Sequence, residues 1–126
     1  MKEKAKITID YRNEILNKIQ VYIKASNTIN DIIIAGDYNQ SIALNKIKHF
    51  YNNIGIKDIY QSYNNILIEE LDKTYISRLI PIDSIAATLG ILEYIEGCIL
   101  LNHNNIVLSN HRAHIGDINF KEYFNE

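Results

Sequence analysis

The run Ile32-Ile33-Ile34-Ala35 is apolar at every position and stops at Gly36. A half-buried strand would alternate apolar and polar residues. An unbroken β-branched run instead predicts a strand over Asp31 to Ala35 that is buried on both faces. Such a strand needs covering layers, and its neighbours can supply them. Arg12 to Ser26 places Ile15, Ile19, Tyr22 and Ile23 at helical spacing, with Asp10 as the expected N-cap. Ile42 to Asn53 does the same with Leu44, Ile47, Phe50 and Tyr51, and Gly55 follows as a stop signal. A short apolar piece, Ile54 to Ile59, leads into a Tyr/Asn-rich connector. Further strands are expected over Ile82 to Thr88, Gly97 to Leu101 and His114 to Ile118. Helix, strand, helix, then several strands is the order of an α/β or α+β layered domain.

The chain has 126 residues and no proline-rich linker, repeat or composition shift, so one domain is expected. An apolar content of 47% with 22% charged residues excludes a disordered chain and a coiled-coil rod. Thirteen Lys+Arg against 15 Asp+Glu leave a net charge of -2. That balance lacks the basic excess of non-specific nucleic-acid binders, so any contact with nucleic acid must be local. The nine tyrosines read as packing residues for the same reason, and not as a base-stacking platform. The single Cys98 rules out an internal disulfide and suits a reducing compartment. The charged N-terminus has no apolar core behind it, and no apolar run approaches the ~18 residues of a membrane span. The expected location is intracellular, cytoplasmic or nuclear, with no membrane partner.

Three segments could carry chemistry. Gly36-Asp37-Tyr38-Asn39-Gln40 follows the buried strand, at the sheet edge where α/β domains commonly place sites. A carboxylate there can bind a hard cation or activate a water, and an amide two residues on can orient that water. The competing reading is an Asx-type turn or a helix N-cap. In Pro81-Ile82-Asp83-Ser84-Ile85 one acid interrupts an apolar strand, and a buried acid needs a partner. A histidine would serve; an edge-strand Asp83 facing water is the alternative. Ser109-Asn110-His111-Arg112 offers that histidine at the mouth of the last strand. His103, His111 and His114 lack the spacing or cysteine partners of a zinc site.

Together these segments, with Asp72-Lys73-Thr74-Tyr75 between them, resemble the endonuclease/exonuclease/phosphatase superfamily, the DNase I-like proteins. They are similar to its Gly-Asp-Phe-Asn motif, its Thr-containing strand, its Ile-Asp-Tyr/His-Ile motif and its terminal Ser-Asp-His. Pro81 to Ile85, and His111-Arg112 running into a final strand, look most like versions found beside reverse transcriptases in mobile elements. The resemblance spans positions 32 to 118 and implies half of a four-layer α/β sandwich, with one mixed sheet and helices on one face.

It also implies a metal-dependent phosphodiester or phosphoester hydrolase, endonuclease-like, using Mg²⁺ or Mn²⁺. Asp37 would orient or deprotonate the attacking water, and Asn39 would position water and phosphate. His111 would contact the phosphate, with Asp83 bracing its imidazole. Asp37 and position 110 would lie at the metal. Position 110 is Asn where the family has Asp, which should lower metal affinity. Residues 1–126 correspond to the family's C-terminal half, and no segment before Asp31 matches the N-terminal half. The expected consequences are weak or no turnover alone, and an exposed sheet face carrying residues such as Ile32, Ile34, Ile82 or Ile99. A homodimer or a partner chain would cover that face. The alternatives are a catalytically silent interaction module or a gene remnant. DNA, RNA, a nucleotide and a phosphoinositide all remain open as substrates.

Overall fold

The computed structural model describes residues 11–25, 30–71, 73–75, 81–102 and 110–125. The expected cap Asp10, the helix end at Ser26, and Asp72, His103 and Ser109 lie outside these residues. Helix α1 spans Tyr11–Ala25, and strand β1 spans Ile33–Asp37. Helix α2 (Asn45–Ile54), strand β2 (Ile56–Asp58), helix α3 (Ile59–Asn64) and a 3-10 turn at Ile68–Glu70 follow. The chain then forms β3 (Asp83–Thr88), α4 (Leu89–Leu92), β4 (Ile95–Leu100), β5 (His114–Ile118) and α5 (Phe120–Tyr123). This is an α/β fold.

Two local differences from expectation have clear causes. Helix α2 starts at Asn45 and not at Ile42, because Ser41 Oγ accepts from Ala43 N at 3.1 Å and turns the chain there. Ile42 N donates to Pro81 O at 3.0 Å, which pulls Ile42 into the core. The helix ends as expected at Gly55, whose φ of 73° is a left-handed C-cap. Helix α3 replaces part of the expected connector. The Asp58 carboxylate accepts from Gln61 N at 2.7 Å and caps it, and Asn65 closes it at φ 55°.

Among the described residues the strands form two antiparallel sheets, ordered β1-β3-β2 and β4-β5, where one mixed sheet was expected. Helices also cover both faces of the larger sheet, and not one. On one face, Leu16 of α1 and Ile47, Phe50, Tyr51 and Ile54 of α2 pack with Ile34, Ile56 and Ala86. On the other, Ile85 and Ala87 pack with Ile59 of α3, Ile91 of α4 and Cys98 of β4. Each fully buried large side chain contributes about 1.5–3 kcal/mol. Between the layers, Tyr51 Oη donates to Ser84 Oγ at 2.7 Å and Ser84 Oγ to Asp58 Oδ2 at 2.5 Å. These bonds give the Tyr51, Ser84 and Asp58 side chains their partners. Burial pushes the Tyr51 phenol above its usual range, so it remains a neutral donor.

Strand β1 is not buried on both faces: Ile33, Ala35, Gly36 and Asp37 are exposed and Ile34 is half-buried. The reason is position. β1 pairs only with β3 among the described residues, so it lies at the sheet edge, and the layer over Ile85 and Ala87 does not reach it. The expected exposed face is redistributed accordingly. Ile82 is buried and Ile34 packs into the helix-side core, whereas Ile33, Ile99 and Ile115 are exposed. No helix among the described residues is long and apolar enough to cross a membrane.

Candidate active site

The antiparallel register of β1 and β3 pairs Asp37 directly with Asp83, at the edge where β1 ends and β3 begins. Opposed residues of such a pair share a face, so two carboxylates confront one another. The His111 ring sits against both. Its Nδ1 is 2.8 Å from Asp83 Oδ2, a hydrogen bond, and its Nε2 is 3.9 Å from Asp37 Oδ2, an ion-pair distance without one. The two acids differ in exposure. The Asp83 side chain is 15% exposed and Asp37 44%, so one acid braces the ring while the other faces solvent.

Several backbone ties hold these groups. Asp37 Oδ1 accepts from Asn39 N at 2.7 Å, an Asx-type turn that leaves Asn39 at φ 54°. Arg12 Nη1 of α1 donates to Asn39 O at 3.0 Å. Tyr38 N donates to Ile82 O at 2.8 Å, joining that turn to the residue before Asp83. Thr74 is buried, and its Oγ1 accepts from Ile82 N at 2.8 Å and Asp83 N at 3.0 Å. Tyr75 forms an antiparallel bridge with His111, and their ring centroids are 4.6 Å apart.

The structure therefore brings Asp37, Asp83 and His111 together; their candidate ligand atoms all lie within 4.8 Å of one another. Asn39 enters the cluster's framework through its backbone. Asn110 sits exposed on the bend just before His111. A solvent-facing carboxylate beside a second carboxylate and an imidazole fits a divalent cation that retains several waters. His114 stays apart, half-buried and edge-on to Tyr60 with centroids 6.2 Å apart. Burial pulls its pKa below the usual histidine value, against the opposing pull of Asp58 and Asp83. Cys98 is buried too, which pushes its thiol up to about 11. Sequence reasoning did not identify Arg12, Tyr75 or Arg112 as supports of the site. Their contacts are largely to backbone oxygens and one ring face, which residue type and spacing do not encode.

No family model matches the chain, and no curated protein does. Among solved structures, an AP endonuclease from Archaeoglobus fulgidus matches 86% of this chain and 54% of its own, at 16% identity and a TM-score of 0.64. The chain spans about half the length of that protein. A likeness at this identity speaks for the fold alone: the α/β architecture described here is similar to that of part of that protein.

Proposed function

We propose that the chain is a metal-dependent phosphodiesterase-type domain of the DNase I-like superfamily, endonuclease-like and weak when alone. The observation that carries this reading is the Asp37, His111, Asp83 cluster at one sheet edge. Asp37, the exposed acid, orients and deprotonates the attacking water. Asn39 positions that water and the scissile phosphate. Asp83 holds the His111 ring at Nδ1 so that Nε2 faces the phosphate, where the ring in its protonated form stabilises the charge that develops in the transition state. Asp37 and Asn110 would hold Mg²⁺ or Mn²⁺, which supplies neutralisation of phosphate charge and activation of water. The similarity of His111-Arg112 to versions found beside reverse transcriptases makes DNA the first substrate to test. The test is nicking of supercoiled plasmid with Mg²⁺ or Mn²⁺. Activity that disappears with chelator and in both Asp37→Ala and His111→Ala supports the reading; nicking unchanged by those substitutions removes it.

A second reading, a catalytically silent interaction module, is favoured by a different observation. An apolar groove of about 1010 Å³ opens between α1 and β1, lined by Ile15, Ile19, Ile23, Ile32 and Ile34. Ile54 of α2 and Thr88 of β3 also line it, so it lies on the helix side of the sheet. A homodimer or a partner chain would cover it. Calorimetry separates the readings: the silent module takes up no Mg²⁺ at millimolar metal, and Asn110→Asp does not restore uptake. Light scattering at micromolar protein reads the oligomeric state directly.

A further inference from the structure

Resting on the hydrolase reading above, we propose that Arg112 is a positioning residue that sets the His111 ring against Asp83. Among its partners, the Arg112 guanidinium reaches several neutral carbonyl oxygens. Nε donates to Leu101 O at 2.7 Å, Nη2 to Leu100 O at 3.1 Å and Asn102 Oδ1 at 3.3 Å, and Nη1 to Lys73 O at 3.3 Å. Its backbone N donates to Thr74 O at 2.7 Å. One residue thus joins the end of β4 to the 73–75 segment, and His111 is its immediate neighbour.

The consequence for the ring follows from what that segment does. Tyr75 packs its ring on His111, and Thr74 Oγ1 holds the Ile82 and Asp83 amides. Arg112 therefore fixes the His111 backbone relative to both the residue packed against the imidazole and the residue that holds its carboxylate partner. A planar fork suits acceptors spread over residues 73, 100, 101 and 102. A lysine keeps the charge but offers its donors from one nitrogen, so it cannot span them.

The experiment compares wild type with Arg112→Lys, reading the His111 ring by ¹⁵N NMR at alkaline pH and plasmid nicking in parallel. Wild type should show one tautomer, the proton on Nδ1 toward Asp83. R112K should show a mixture, and its nicking should fall about 100-fold, the scale of an ångström-sized misplacement. R112K with the wild-type tautomer overturns the proposal, whatever its rate. Wild type that never nicks DNA, while R112K still loses the single tautomer, sinks the hydrolase reading and leaves the positioning role standing. Should R112K not fold, wild type alone decides. Restricted rotation of the Arg112 guanidinium, seen as separate Nη proton signals, supports the clamp, and free rotation overturns it.

Discussion

The two sides of the candidate site are built differently. On the β3 side, Asp83 is 15% exposed, hydrogen-bonded to His111, and backed by a buried Thr74 that holds two consecutive amides. On the β1 side, Asp37 is 44% exposed on an edge strand whose neighbours Ile33 and Ala35 are also exposed. The acid–imidazole pair is therefore preorganised by segments that belong to the described chain. The solvent-facing acid depends on one strand pairing, its own Asx turn and Arg12. Groups that orient can be rigid without a partner; the face where a cation and substrate would arrive is the less supported one.

The largest expected effect tests whether both sides belong to one reaction. Asp37→Ala and His111→Ala should each lower metal-dependent nicking by about 10²–10⁴-fold, the range for a group that moves a proton or meets developing charge. A steep loss for one substitution and none for the other would split the site into two unrelated features. The double variant should cost little more than the worse single one, because the groups act as a unit.

The next effect sets the packed layer against the open edge. Phe50→Ala removes a fully buried ring from the α2 core and should cost about 3–5 kcal/mol in urea unfolding. Ile33→Thr, on the exposed face of β1, should change stability by no more than about 0.5 kcal/mol if that face stays open. A larger, concentration-dependent cost at Ile33 would show a partner copy covering the edge. That result would favour the interaction reading.

Asp83→Asn probes the brace alone. It keeps the shape but removes the charge that holds the ring, and should lower activity about 10–100-fold, as loss of a carboxylate behind a functional histidine does. If it matched Asp37→Ala, the buried acid would be doing more than orienting.

How far the residues announce this arrangement depends on the range of the interaction. Gly55 marks the end of α2, because a left-handed C-cap is a local requirement. Asp83 inside an apolar strand announces that it needs a partner, because burying an acid alone is costly. Helix α3 has a local signal too, since Asp58-Ile59-Tyr60-Gln61 has capping-box spacing, but the expected Tyr/Asn-rich connector took no account of it. The exposure of β1 was not readable, since an apolar run describes the strand and not the reach of the layer above it. Nor was the division into two sheets, which depends on long-range pairing. The Arg112 acceptors are mostly main-chain oxygens, and every residue has one.

The smallest effect concerns His114, which lies three residues from His111 but apart from the cluster. Burial lowers its folded pKa below 6.5, so the folded state prefers the neutral ring while the unfolded chain titrates at its usual value. Between those two values the unfolded state binds more protons, and stability rises with pH. Stability is therefore fully present above about 6.5 and declines as pH falls through the lowered folded value. Urea midpoints measured from pH 8 to 5 should fall in wild type and flatten in His114→Gln. If the slope survives in that variant, another group is titrating.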